Sequence, residues 1–263
     1  MGLLDGRNAV VFGVANERSI AWAIARALHE HGATVGLSYA SETLRRRVEP
    51  LAASIDSPFT EQCDVTSDQA IASLFEKAAA VLGSVDILVH AVAYADRDDL
   101  RGAFSDTSRA GFHTAMDISV YSLVALVHHA LPRMRAGSSV LTITYYGGQK
   151  VAPNYNVMGV AKSALESSTR YLAAELGPKG IRMNAISAGP VRTLSAQAVS
   201  GFRHAQSEYE KASPMKRSID AEDVGNAAVW LASDLARNVT GEILFVDGGY
   251  NIMAGGLHPN DEA

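Results

Sequence analysis

Short continuous apolar runs alternate along this chain with longer stretches in which apolar residues recur every three or four positions. The runs read as strands buried on both faces, the longer stretches as amphipathic helices. Asn8 to Gly13 predicts a first strand that enters a tight turn, and Ser19 opens a helix that stops near Gly32. Strands follow at 33–39, 59–63, 85–90, 138–144, 181–186 and 242–246. Between them lie helices opened by Ser41 and Ser67, a long helical region over about 111–134 cut by Pro132, and a helix beginning at Ala221. Strands alternating with helices of this length predict one doubly wound parallel α/β sheet, Rossmann-like, of about seven strands flanked by helices. No repeat or linker divides the chain, so residues 1–263 are expected to form a single catalytic domain. A polar, mobile lid is expected near 195–211 and a loose tail from about 255.

One helix carries more than packing. Asn154 is placed to cap it, Val157, Val160, Ala161, Ala164 and Leu165 set its period, and Gly177-Pro178 ends it. Tyr155 and Lys162 then stand seven residues apart on it, about 10 Å of rise, on one face. A cation beside a phenol stabilises developing negative charge and can hold a hydroxylated ligand. A half-buried core tyrosine with a surface lysine is the plainer reading. Tyr145 ends the strand before this helix, so three polar groups can converge above the sheet, although strand-end tyrosines are more often packing groups.

Two other stretches bear on a ligand. Gly13 to Ala21 joins a strand to a helix N-terminus, where outward N–H groups suit a pyrophosphate. Gly13 allows the sharp turn, and Ser19 can offer both its hydroxyl and its N–H. The usual G-x-G-x-x-G is missing, so a plain turn stays open. Asp64 and Val65 end the third strand, the edge that meets adenine in dinucleotide folds, but an Asp before Thr66-Ser67 also simply leads a helix.

Composition narrows the class. The net charge of -5 and pI near 5.9 argue against nucleic acid as a partner. No apolar run reaches the ~18 residues of a membrane span, and no signal core follows Met1. A single cysteine, Cys63, fits a reducing cytoplasm and reads as a buried structural thiol. His128 and His129 are adjacent, and neither H-E-x-x-H nor a cysteine cluster occurs, so no metal is expected.

Together these residues resemble the short-chain dehydrogenase/reductase superfamily over nearly the whole chain, including the closing Val246-Asp247-Gly248-Gly249. Ordinary members carry Tyr-x-x-x-Lys, whereas here Met158 stands four residues before Lys162 and the tyrosine lies one turn earlier. Tyr-x6-Lys within 153–162, the altered glycine turn 13–21, Thr144-Tyr145 and the stretch 184–194 are similar to the bacterial enoyl-acyl-carrier-protein reductases of type II fatty acid synthesis.

The resemblance implies reduction of the trans-2 double bond of an enoyl thioester carried on acyl carrier protein, by hydride from NADH, with NADPH possible. Tyr155 would be the donor to the thioester oxygen, Lys162 the cofactor-positioning cation and Tyr145 a supporting group. Gly13, Ser19 and Ile20 would hold the pyrophosphate, Asp64 and Val65 bracket adenine, and Val92 approach the adenine-side ribose. Val191 and Thr193 would fix the carboxamide, with Arg192, Leu194 and Ser195 completing that loop and Ala95 lining the acyl pocket. Ala91 and Tyr94 depart from the serine and phenylalanine common in the family.

Ala40 stands at the cofactor-selecting turn after the second strand. Glu42 beside it favours NADH, with Arg45, Arg46 and Arg47 read as a solvated face. A homotetramer is expected through the Tyr155 helix and the long one before it. A 3-oxoacyl reductase and a catalytically silent nucleotide sensor are the competing readings.

Overall fold

The computed structural model describes residues 2–193 and 202–254. Leu194, Ser195, the opening of the expected lid up to 201 and the tail from 255 lie outside the described residues. Seven parallel strands form one sheet: β1 (Asn8–Phe12), β2 (Thr34–Tyr39), β3 (Thr60–Gln62), β4 (Ile87–His90), β5 (Ser139–Thr144), β6 (Arg182–Ala188) and β7 (Ile243–Val246), in the order β3-β2-β1-β4-β5-β6-β7. The strand positions read from the apolar runs hold to within about two residues, the usual uncertainty at element ends.

Alternation along the central strands β1, β4, β5 and β6 feeds two cores. Ala9 and Val11 of β1 join a cluster with helices α1 (Ile20–Glu30), α2 (Glu42–Ser54) and α8 (Ala221–Ala232). Val10 and Phe12 point the other way, toward α3 (Asp68–Leu82), α5 (Ser122–Ala130) and α6 (Asn156–Leu176). Both faces are therefore apolar, which a parallel sheet requires.

Helix starts follow the sequence, though not every expected cap forms. The Ser67 hydroxyl accepts the Ala70 N–H at 3.2 Å. Asp220 and Asp223 close a capping box at the start of α8. Ser41 precedes α2 without such a bond, and its hydroxyl meets that of Thr43 at 2.8 Å instead.

The long helical region resolves into α4 (Arg109–Met116), a π-turn (Asp117–Tyr121), α5 and a final 3-10 turn (Leu131–Arg133) that contains Pro132. This run, Arg109–Arg133, has 25 residues and contains an 18-residue window of mean hydropathy 1.3, so by length and composition it could cross a membrane. Its inner face, with Leu123, Leu126, Val127 and Ala130, is instead packed into the core against α3.

The π-turn has a visible cause. The Ser122 N–H reaches Asp117 O, five residues back, while its hydroxyl donates to Ile118 O at 2.6 Å, the carbonyl an α-helical amide would have used. His90 completes the arrangement: Nε2 meets the Ser122 hydroxyl at 2.8 Å and Nδ1 meets the Thr142 hydroxyl at 2.8 Å. Because the Ser122 proton is committed to Ile118, Nε2 must donate and Nδ1 must accept. Complete burial pulls His90 down to about 3, with the nearby Lys162 charge adding to the effect.

Candidate active site

The strand order lines the C-terminal strand ends up as a row. Asp64 and Val65 follow β3, Ala40 follows β2, Gly13 follows β1, Val92 follows β4, Tyr145 follows β5 and Val191 follows β6. The order in which the chain adds strands reverses between β1 and β4, and open α/β sheets hold their ligands in the crevice at that point. Gly13 sits there with φ +97°, and a Cβ on it would lie 2.2 Å from Ala91 O. Bare backbone is therefore obligatory where β1 and β4 end.

Helix α1 begins at Ile20, so the N–H groups of Ile20 and Ala21 lack intrahelical acceptors. Ser19 behaves differently from expectation. Its N–H donates to Asn16 O at 3.1 Å and its hydroxyl to the same oxygen at 2.7 Å. The turn is closed on Asn16, so Ser19 does not offer free donors; its oxygen remains an acceptor, and the donors are the helix amides. A side-chain-free approach beside outward amides fits a dinucleotide pyrophosphate.

On the adenine side, Asp64 Oδ1 accepts the Thr66 N–H at 3.0 Å and the Thr66 hydroxyl at 2.7 Å. That oxygen leads α3, as the plainer reading had it. Val65 and Val92 pack onto the lower core. Ala40 is exposed at the end of β2. Arg45 is held along its own helix by Glu49 at 2.6 Å and Glu42 at 3.3 Å, a solvated ion-pair face. Cys63 is buried, and burial pushes its thiol up to about 12.

Tyr155 is not inside the helix. α6 starts at Asn156, Tyr155 occupies the capping position without a side-chain cap bond, and Asn154, expected as the cap, has φ +61°. The turn still fixes Tyr155, because Met158 N–H donates to its carbonyl at 2.9 Å. The Tyr155 ring meets Tyr145 edge to face with centroids 5.0 Å apart. Gly147 makes room for both: a Cβ there would lie 2.7 Å from Tyr155 Cδ1 and 3.0 Å from Tyr145 Cδ1.

Lys162 is 5% exposed, and its ammonium donates to Ile143 O of β5 at 2.8 Å. Burial pulls Lys162 down to about 8, with Glu166 acting in the opposite sense. Burial raises Tyr155, Tyr145 adding to it, and burial with Tyr250 raises Tyr145. The two phenols thus touch and stay protonated, while the lysine is anchored to the strand that delivers Tyr145.

Beside them lies an apolar patch. Val120, Met158 and Ala161 are buried, and Ala95, Leu100 and Tyr155 pack against them. The loop bearing Ala95 is held by Ser119 of the π-turn, whose hydroxyl accepts the Tyr94 N–H at 3.0 Å and donates to Tyr94 O at 3.1 Å. After β6, Val191 is buried and accepts the Thr193 N–H at 2.8 Å. Arg192 Nε donates to Gln206 Oε1 at 2.8 Å. Gln206 belongs to α7 (Phe202–Ala212), which is docked further by the Tyr209 hydroxyl donating to Asp247 O at 2.5 Å and by Tyr209 stacking on Tyr250 at 4.4 Å.

Sequence reasoning missed His90, Ser119, Glu166 and the Tyr209–Tyr250 stack. Glu166 had a signal, a carboxylate four residues after Lys162 among positions of core period. Ser119 had none, since a π-turn leaves no pattern in composition.

The family model described as Enoyl-(Acyl carrier protein) reductase matches residues 13–251. Enoyl-[acyl-carrier-protein] reductase [NADH] 1 of Rhizobium meliloti is 50% identical over 252 residues, 96% of this chain and 93% of that protein. A crystal structure of enoyl-[acyl-carrier-protein] reductase (NADH) from Aquifex aeolicus superposes with a TM-score of 0.94 at 48% identity, covering 98% of this chain and 100% of that one. The Bacillus cereus enoyl-acyl carrier protein reductase, solved with NADP+ and indole naphthyridinone, gives 0.94 at 50% identity, covering 97% and 100%. With a family model matching residues 13–251 and relatives about half identical over nearly their full length, the chain belongs to the enoyl-(acyl carrier protein) reductase family.

Proposed function

We propose that this chain reduces the trans-2 double bond of enoyl thioesters borne by acyl carrier protein, with NADH as the reductant. The observation that carries the reading is the pairing of Tyr155 with Tyr145 beside an apolar patch, while the position four before Lys162 holds Met158. A thioether cannot protonate an alkoxide, which disfavours carbonyl reduction by the ordinary short-chain arrangement. Tyr155, kept neutral by burial, is a hydrogen-bond donor rather than a base. Donation to the thioester oxygen as it gains enolate charge stabilises the transition state more than the ground state.

When bound, the reduced nicotinamide supplies the hydride. The bare backbone at Gly13 and the N–H groups of Ile20 and Ala21 receive its pyrophosphate, while Ser19 holds the turn closed on Asn16. Lys162 has three donors, of which one is committed to Ile143 O, so it keeps capacity for ribose hydroxyls. Val191, Arg192 and Thr193 meet the carboxamide side. Asp64, Val65, Val92 and Ala40 line the adenine half. Ala95 presents apolar surface to the acyl chain, backed by buried Met158. Arg45 is tied to Glu42 and Glu49 rather than held for a ribose 2′-phosphate, which favours NADH.

The test is turnover with an enoyl thioester and with a 3-oxoacyl thioester, each with NADH and with NADPH. Turnover is expected with the enoyl substrate, at least tenfold better with NADH. Turnover of the 3-oxoacyl substrate alone would point to the carbonyl reductase. Binding without turnover would point to a nucleotide sensor. NADPH matching NADH would show that the arginines of α2 reach the site.

The chain is further proposed to work as a homotetramer. Val160, Ala164, Ser167 and Tyr171 form one stripe on α6, with Tyr171 78% exposed, and Tyr121 and Val124 extend it across the neighbouring helical run. An apolar stripe with small residues between its larger ones suits a helix face covered by a second copy.

A further inference from the structure

Glu166 lies one turn after Lys162 on α6 and is only 4% exposed. A carboxylate so deeply placed is costly unless hydrogen bonds and an opposite charge offset its lost hydration. Its hydrogen bonds come from neutral groups. The Thr144 hydroxyl donates to Oε1 at 2.9 Å, and Gln149 Nε2 donates to Oε2 at 3.0 Å. These two residues bracket the turn that carries Tyr145. Gly148 lies between the turn and the helix: a Cβ on it would come within 3.0 Å of Glu166 Oε1 and 3.1 Å of Lys162 Cβ. The Tyr145 turn is thus seated directly on the Lys162–Glu166 segment.

Lys162 stands one turn back on the same helix, its stem against the same glycine turn, and Glu166 favours its cation through space rather than through a direct ion pair. The other groups around the lysine do not. His90 from β4 is buried and neutral. Tyr145 from the end of β5 and Tyr155 from the start of α6 are phenols kept protonated by burial. From β5 come the Ile143 carbonyl and the Thr144 hydroxyl, both uncharged, and from α5 the Ser122 hydroxyl, which is spent on Ile118 and His90.

We infer that Glu166 is a positioning residue for the reaction: its charge keeps Lys162 cationic inside the protein, and its two oxygens seat the Tyr145 turn against that cation. The inference rests on the reading that the Lys162 cation holds the cofactor ribose. Lys162 titrates near about 8 with Glu166 present. Removing the carboxylate leaves burial unopposed, so the amine loses its proton at lower pH. Below that range the lysine is charged with or without Glu166. The effect of removing Glu166 therefore grows as pH rises from about 6 toward 8.

The experiment uses the full chain and four proteins: wild type, Glu166→Gln, Lys162→Ala and the double variant. NADH dissociation constants are measured by fluorescence across this pH range. The Lys162 side chain is titrated separately in cofactor-free protein by NMR of 13C-labelled lysine. Glu166→Gln is expected to move the Lys162 midpoint down by about one unit or more, weakening NADH up to about tenfold near pH 8 and much less near pH 6. Lys162→Ala should remove this pH step, and adding Glu166→Gln to it should not restore one. Glu166→Asp, which keeps the charge, should return the midpoint toward wild type. An unchanged Lys162 midpoint, or a loss of affinity equal at every pH, would overturn the inference and leave Glu166 a structural clamp. If Lys162→Ala binds NADH normally, it is the role assigned to Lys162 that fails, and the lysine titration still decides for Glu166. Should Glu166→Gln not fold, the Glu166→Asp titration decides: a midpoint far below wild type despite the retained charge would contradict the inference.

Discussion

His90 stays neutral because both ring nitrogens are committed to hydroxyls in a site without water access. Its folded value near about 3 lies well below the ordinary 6.5. Between these values the unfolded chain binds a proton that the folded chain cannot, so stability is complete above about pH 6.5 and is lost as pH falls toward 3. The size follows from the shift: about 2 kcal/mol of stability should go between pH 7 and 5 through this residue. Urea unfolding at the two values, wild type against His90→Gln, checks it, since the variant should lack that increment; equal slopes would show that His90 takes up a proton in the fold. Tyr145, Tyr155 and Lys162 were legible in the sequence because their spacing across a strand end and a helix start is local. Glu166 and His90 were not, because their partners, Thr144 and Gln149 or Thr142 and Ser122, are brought to them only by the packed sheet.

The proposed cofactor site depends most on the β1–α1 turn, where Gly13 has no room for a side chain. Gly13→Ala would strain a left-handed φ by about 1–3 kcal/mol and force the ends of β1 and β4 apart. A lower melting temperature and at least tenfold weaker NADH binding are expected, from thermal unfolding and cofactor titration of the same sample. Unchanged NADH affinity would mean that the crevice lies elsewhere. Helix and strand positions were readable here because apolar runs or periods mark most elements, and short β3, Thr-Glu-Gln, was found from the apolar Phe59 and Cys63 that flank it. The start of α6 was misplaced by one residue because Asn154 has the composition of a cap yet adopts φ +61°, leaving Tyr155 as the boundary. The π-turn at Asp117–Tyr121 was invisible for a related reason: a single hydroxyl, Ser122, diverts one carbonyl without changing the apolar period.

The sheet order β3-β2-β1-β4-β5-β6-β7 turns residues scattered from Gly13 to Val191 into one row; the alternation of strands and helices predicted the doubly wound parallel sheet, whereas the strand order came only with the packed structure. The outward stripe on α6 did not follow from that alternation either, since Tyr171 has the period of a core residue and is exposed only once the sheet is packed. Light scattering at micromolar concentration should report a tetramer, with Tyr171→Glu shifting it to smaller species; a wild-type monomer would remove the proposed interface. The central claim is that Tyr155, one turn before the ordinary position, donates to the reacting thioester while Lys162 holds the cofactor. The most direct measurement is the pair of constants for Tyr155→Phe, turnover of an enoyl thioester and NADH dissociation. Loss of one such donor costs ~2.7–4 kcal/mol, so turnover should fall by about 10²–10³ with NADH affinity within about twofold of wild type. Turnover near the wild-type rate, or a loss that appears only as weaker NADH binding, would contradict the account.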